Sequence, residues 1–408
     1  MSQVRPRSRG VAMFVYGDAV NDSRVIREAD ALRASGRDVL VVAHPADGHP
    51  SMENDRGWRL VRVGDRRSLR PGASVPRRTL VDRARWLAGY RRGLQEWTAA
   101  AATAGVEWAA ARSTMAWHGH DLTGLLAASQ ARDRRPGGRV VYDSHELFLE
   151  AGAVARLPGP ARTIVARLER RHARAADAVI TVNQGIADEL ARRYEIPVPG
   201  VVMNCPVVEA TAPEHATSPL RKTLDLGDRP VMLHHGGLSG GRGIEQTIDA
   251  LDHLPPDVAL VVLGNGELVP QIQSLAAKRF SGRLHHHPAV PMEELPSWVA
   301  GADVGVIAFQ PVERNNLLAT PNKLFECMSV GVPVVVSDFP EMRRIVDEAG
   351  VGAVCDPSSP ESIADAVRTV LAGERSAWRD ACRAAALDRY SWQRQSEVLL
   401  GVYDRIGA

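Results

Sequence analysis

The sequence predicts an α/β protein made of two Rossmann-like parallel-sheet domains facing across a cleft. Three observations carry this expectation. A chain of 408 residues is too long for one ordinary core. Short apolar runs alternate with longer amphipathic segments, which is the rhythm of βα units. A break rich in Ala, Thr, Pro and Ser lies between Glu209 and Pro219 and separates two such series.

In the first series, strands are predicted at 11–16, 38–43, 58–63, 113–118, 139–142 and 178–182. Helices are predicted at 23–35, 121–134, 161–175 and 184–194. The first helix puts Val25, Ile26, Ala29 and Leu32 on one face, and Gly36 stops it. In the second series, strands are predicted at 231–235, 259–263, 284–288, 304–308 and 332–336. Helices are predicted at 244–254, 267–278, 322–330, 341–348 and 360–371. The expected domains are 1–205 and 206–388, with 389–408 as a tail. In open α/β sheets the ligand edge is the carboxyl end of the strands.

The bulk numbers exclude several classes. A hydrophobic content of 45% with 24% charged residues is that of a soluble globular protein. A net charge of +2 lacks the basic excess of a dedicated nucleic-acid binder. Cys205, Cys327, Cys355 and Cys382 are far apart, with no CxxC pair, so no zinc site or disulfide framework is expected. Free thiols at these spacings suit a reducing cytoplasm. The run 11–16 after Arg5, Arg7 and Arg9 is too short for a signal peptide. No stretch has the length of a membrane span.

Four loops after strands hold candidate chemistry. Gly17 opens the loop after the first strand, where a glycine lets backbone approach a ligand; a tight turn explains it equally. Tyr142 to Glu146 places His145 between acidic neighbours at a strand's carboxyl end. The loop His235-Gly236-Gly237-Leu238 runs through to Arg242, a fork donor suited to diphosphate oxygens. The segment Pro321 to Pro333 sets Lys323 and Glu326 three apart on one helix face, with Asn322 at the helix start. As a surface pair these two charges are worth only about 0.2–0.5 kcal/mol. Their place after the irregular loop 310–321 favours a ligand with an anionic end and a polyol end.

Other patterns point nowhere. His285, His286 and His287 alternate faces in a strand and cannot share one metal. Gly264-Asn265-Gly266 lacks the third glycine of a dinucleotide fingerprint. No P-loop, HExxH or GxSxG occurs. Between Asp65 and Arg92 there are nine arginines against two acids. That segment is either a solvated helix or a contact for an anionic lipid or acceptor.

In this order the loops resemble glycosyltransferase family 4, retaining enzymes of the GT-B fold. The likeness covers nearly the whole chain. Asp22-Ser23-Arg24-Val25 with Glu28-Ala29 is similar to the family's first helix. Ser391-Trp392 with Tyr403 resembles the C-terminal helix that crosses back to the first domain. The resemblance implies transfer of a sugar from a nucleotide diphosphate sugar, with uridine by family habit, to an acceptor hydroxyl. The acceptor is a sugar, a lipid-linked glycan or a small metabolite. It implies Arg242 and Lys323 on the diphosphate, Glu326 on the ribose, and His145 near the reacting carbon of the sugar. It implies no metal and no cofactor beyond the donor, and a cytoplasmic or peripheral membrane location. The chain departs from the family twice: Gly237 stands where an arginine is usual, and Leu318 where a glutamate is usual. Backbone amides of 315–320 are the expected substitute for that glutamate. Two rivals stay open, a nucleotide-sugar epimerase of the same architecture and a non-catalytic partner of another transferase.

Overall fold

The computed structural model describes residues 9–17, 19, 22–54, 56–65 and 80–408. The chain forms two compact units, Met1–Asn204 with Ser396–Ala408, and Cys205–Gln395.

The first unit holds an eight-stranded sheet of β1 (Arg9–Phe14), β2 (Asp38–Ala43), β3 (Met52–Glu53), β4 (Arg59–Arg62), β5 (Thr114–His120), β6 (Arg139–Ser144), β7 (Ala178–Thr181) and β8 (Gly200–Val201). The order is β3-β4-β2-β1-β5-β6-β7-β8, parallel throughout except for β3 against β4. The central strands are buried on both faces, so they read as continuous apolar runs. The order reverses between β1 and β5, the topological switch point. Just past these two strands stand Ala19 and Asp121, both with positive φ, at 54° and 53°. A side chain in that region is strained, and such residues cluster at functional sites.

The helix Ser23–Ala34 starts at Asp22, whose carboxylate accepts from the Val25 amide. Its buried face differs from the expected one. Arg24 and Glu28 lie inside with Val25, Ala29 and Leu32, while Ile26 is half-buried. Two charges on the inner face need buried partners, and β5 and β6 supply them.

The second unit holds β9 (Val231–His235), β10 (Ala259–Leu263), β11 (Leu284–His287), β12 (Val304–Ile307), β13 (Val334–Ser337) and β14 (Gly352–Cys355). The order β11-β10-β9-β12-β13-β14 is the 3-2-1-4-5-6 of a doubly wound sheet, and every pair is parallel. Its switch point lies between β9 and β12. The strand β14 was not expected, because Gly350, Gly352 and Ala353 read as a turn. Gly352 is there for close approach: a Cβ would stand 1.8 Å from the Val334 carbonyl oxygen. The helix Arg375–Asp388 was also not expected, and the helix Leu80–Ala109 runs well beyond the 65–92 segment for which a solvated helix was one reading. Of the basic segment, 66–79 lies outside the described residues. From Leu80 the chain is helical, with Arg91 and Arg92 exposed and Arg92 paired to Glu96 at 2.7 Å. Among the described residues no helix is long and apolar enough to cross a membrane.

The glycine loop after β9 is seated by backbone contact. A Cβ on Gly243 would lie 1.8 Å from the Ala308 carbonyl oxygen, and its φ is 74°. Gly237 has ordinary φ and nothing within 4 Å of its added Cβ. Gly243→Ala is therefore expected to lower stability by about 3 kcal/mol, and Gly237→Ala by less than about 0.5 kcal/mol. Urea unfolding midpoints of the two variants check this pair; equal midpoints would contradict the steric account.

Candidate active site

At the switch point of the second unit the sequence-predicted residues come together. Gly236 and Gly237 are exposed in the loop that leaves β9. Gly264-Asn265-Gly266 packs flush beneath that loop. The Leu238 amide donates to the Asn265 carbonyl, and a Cβ on Gly264 would meet the Gly236 oxygen at 1.9 Å. This explains the second glycine turn as a pad for the first.

Arg242 and Lys323 converge on one ring. The Arg242 guanidinium lies 4.7 Å, and the Lys323 ammonium 5.4 Å, from the centroid of Phe309, just past β12. Cations over a ring face are held by its quadrupole, but two of them also repel each other. Lys323 is buried, and Nζ stands 3.3 Å from His234 Nε2. Burial first, then Arg242, pushes the Lys323 pKa down to about 7. Burial and the same ammonium hold His234 well below the usual range. Glu326 lies one turn along the helix Asn322–Val330, and its Oε2 accepts from His235 Nε2 at 2.9 Å. Asn322 is exposed at the start of that helix, behind Pro321, which provides no side-chain cap. The expected surface pair is thus two separate contacts. Lys323 and Glu326 are each met by a histidine of β9, on its two faces.

The loop after β12 behaves differently from the expectation. The amides of Asn316, Leu317, Leu318 and Ala319 already donate to main-chain oxygens of Glu313, Glu313, Arg314 and Asn316. They close the short helix Arg314–Leu317 and so are committed within the loop.

The first unit contains a second constellation, around His145. Its neighbour Glu146 is exposed, and Asp121 takes the acidic role instead. Asp121 Oδ1 accepts from the His145 amide at 3.1 Å, and its other oxygen lies 3.8 Å from Nδ1. Asp143 is fully buried at the end of β6. It accepts four hydrogen bonds: two from Arg24 at 2.6 and 2.8 Å, and one each from His120 Nδ1 and His145 Nε2 at 3.1 Å. Three of these meet at Oδ2, from Arg24 Nε, His120 and His145, and only Arg24 Nη2 reaches Oδ1. Burial alone would raise the Asp143 pKa, but Arg24 and then His145 outweigh it and hold it well below the usual range. For His145 burial opposes the charge, and Asp121 followed by Asp143 push its pKa to about 10. The His145 side chain is 22% exposed, so water moderates that pull. Burial, reinforced by Asp143, raises Glu28 to about 8. Ligand atoms of Glu28, His118, His120 and Asp143 lie within 4.8 Å of one another. Arg24 stands among them, 3.2 Å from Glu28 and bonded to Asp143, and fills the cationic role there. Gly17 follows β1; a Cβ there would meet only Val15 at 3.8 Å, so the fold does not itself require glycine.

Sequence reasoning missed Phe309, the roles of His234 and His235, and the partners Asp121, Arg24, Glu28, His118 and His120. The signals were present. His118 and His120 are two apart in a strand and share a face, and Arg24 and Glu28 are four apart on a helix.

Comparison with known proteins agrees with this architecture. The family model for glycosyl transferase 4-like domains matches 23–206, and that for group 1 glycosyl transferases matches 219–388. The chain belongs to glycosyltransferase family 4. It is 26% identical to an alpha-D-kanosaminyltransferase of Streptomyces kanamyceticus, over 60% of this chain and 64% of that protein. It is 29% identical to a D-inositol 3-phosphate glycosyltransferase of Xylanimonas cellulosilytica, over 56% and 57%. The matches thus span somewhat under two thirds of these relatives. Sucrose-phosphate synthase from Thermosynechococcus elongatus superposes with a TM-score of 0.75 at 18% identity, covering 98% of this chain and 99% of that one. HepE of Anabaena, solved with UDP, gives 0.66 at 15%, covering 97% and 100%. The fold is that of the GT-B glycosyltransferases.

The ammonium of Lys323 gives a pH test. Between pH 7 and 10.5 the unfolded lysine holds its proton while the folded one loses it. The unfolded state then binds more protons, so this group's contribution to stability rises with pH across that window. Lys323→Met is expected to melt above the wild type at pH 7, with the gap narrowing by pH 8.5. Melting curves over that range check it, and a gap independent of pH would contradict a depressed lysine.

Proposed function

We propose that the protein moves a sugar from a nucleotide diphosphate sugar to an acceptor hydroxyl, with retention at the anomeric carbon. One observation carries this reading: Arg242 and Lys323 meet over Phe309 at the switch point, one helical turn from a carboxylate braced by His235. Two cations suit a diphosphate, and a braced carboxylate suits the hydroxyls of the adjoining ribose. Charge builds on the diphosphate as the glycosidic bond breaks. Fixed cations in a poorly solvated site stabilise that charge without reorganising. Holding the reactants in place supplies the remainder. In the family's usual picture a donor phosphate oxygen takes the acceptor proton, and Arg242 and Lys323 hold that phosphate here. For His145 the resemblance supplies the role, contact with the donor sugar. The first unit supplies what that role requires, an imidazole kept protonated between two carboxylates.

Retention and a uridine nucleotide rest on the family resemblance. An alpha-configured product is named for the kanosaminyl relative, and UDP for the Anabaena structure. The acceptor is a sugar, a lipid-linked glycan or a small metabolite. Contact of the 65–92 segment with an anionic membrane and a cytoplasmic setting belong to the same reading. So does a reaction that runs on protein cations alone.

Two measurements test the site. Nucleoside diphosphates should raise the melting temperature of the wild type by mass action, UDP most of all. Glu326→Ala should lose at least tenfold in that affinity, and unchanged affinity for every nucleotide would remove Glu326 from the site. Arg242→Ala should lower kcat by about 10²–10³, and near wild-type turnover would reject its role. Incubation with donor alone separates the epimerase reading, which requires an isomer to form without an acceptor.

A further inference from the structure

Tyr403 belongs to the last helix, Trp392–Arg405, and is fully buried in the first unit. Its hydroxyl lies 2.6 Å from His118 Nδ1, and the two rings stack with centroids 6.1 Å apart. His118 in turn stacks on His120 at 4.5 Å. Nδ1 of His120 lies 2.9 Å from His145 Nε2. Two buried imidazoles therefore join a phenol to the partly exposed histidine of the candidate site.

The proton count along this chain is constrained. Burial keeps the phenol protonated and both inner histidines neutral. A phenol that donates to Nδ1 of His118 leaves the proton of that ring on Nε2. Nε2 faces Oε2 of Glu28 at 3.5 Å and Oδ2 of Asp143 at 3.8 Å. In this tautomer an N–H points towards the Asp143 carboxylate and the Glu28 carboxyl group; in the other, a lone pair would face the charge of Asp143. His120 Nδ1–H and His145 Nε2–H then both point at Oδ2 of Asp143, at 3.1 Å each, so the 2.9 Å between the two nitrogens is the approach of two donors to one shared acceptor. Arg24, Glu28, Asp121 and Asp143 face this chain from the neighbouring elements, Arg37 lies over the Tyr403 ring at 5.4 Å, and Asp22 acts on Glu28 and Asp121.

We propose that Tyr403 is a positioning residue for His145: its hydroxyl selects the tautomer of His118, and through His120 and Asp143 this holds the His145 imidazole in place and charged. The proposal rests on the reading that His145 serves the donor sugar. The functional consequence reaches further than packing. An aromatic residue near the end of the chain sets the state of a histidine 258 positions earlier.

The test uses the full-length protein with ¹⁵N-labelled histidine. Imidazole ¹H–¹⁵N correlation spectra report tautomer and charge without any ligand. The wild type should show His118 as the Nε2–H form and His145 doubly protonated at pH 8. Tyr403→Phe should move His118 towards the Nδ1–H form and lower the His145 midpoint by at least one pH unit. With UDP-glucose as the donor probe, kcat should fall about tenfold with KM unchanged. His118→Leu removes the same link from its other side and should produce the same loss at His145, which keeps the proposal testable if one variant does not fold. A His145 spectrum and midpoint identical to wild type in either folded variant would overturn it. Full turnover in His145→Ala would instead defeat the donor reading and leave the spectral result standing.

Discussion

A single buried carboxylate, Asp143, is the interaction on which the first unit depends. An isolated charge at that depth would cost several kcal/mol. Four N–H groups from three residues make it tolerable. Arg24 brings the helix Ser23–Ala34 onto the sheet, and its third contact, to the Val202 oxygen at 2.6 Å, ties down the chain after β8. His120 stands directly opposite Asp143 across the β5–β6 pairing. His145 is the only one of the partners that reaches water. Losing one side of such a pair costs about 3–5 kcal/mol, whereas an apolar replacement of the whole set is often neutral. A network that brings little net stability is better explained by what it holds, and what it holds is the partly exposed imidazole.

The second unit follows the opposite logic. There the electrostatics are left positive. Arg242 and Lys323 share one aromatic ring, and the nearby carboxylate of Glu326 is already engaged by His235. Glycines at 243, 264 and 266 bring backbone segments into contact, and Gly236 takes a φ of 103° in the loop that holds Arg242. The close contacts are therefore backbone, and the side chains placed on them are the ones proposed to meet a ligand. This is the arrangement expected where pre-organised charge does the chemistry.

Most of the architecture was legible in the sequence because buried parallel strands are continuous apolar runs. The runs at 38–43, 231–235 and 259–263 coincide with β2, β9 and β10. The edge strand β14 was hidden by two glycines that serve close packing, and such glycines look the same as those of a turn. Candidate site residues were picked out where they follow a strand or open a helix, as with His145, Arg242, Lys323 and Glu326. Their partners were not. Arg24, Glu28 and Asp121 look like solvated charges until a fold brings Asp143 and His145 against them, and Tyr403 is linked to His118 only through tertiary structure. Pairing across a fold has no local period, so no window of sequence can show it.

The two departures from the family pattern become intelligible at this level. With Gly237 in place of an arginine, the pocket relies on Arg242 and a lysine that is almost fully buried. A buried ammonium whose pKa lies near 7 need not remain charged when the site is empty, which avoids much of the desolvation cost of a second permanent cation. A bound diphosphate stabilises the charged form by Coulomb attraction at short range. The charge of the pocket then depends on its occupant. With Leu318 in place of a glutamate, and the amides of 316–319 committed to their own loop, fewer groups remain to read the sugar hydroxyls from that side. On the proposed reading, the diphosphate end of the donor is accordingly where recognition is concentrated. On the same reading, the sugar end is met by side chains rather than by the backbone amides of 316–319, which are bonded within their own loop.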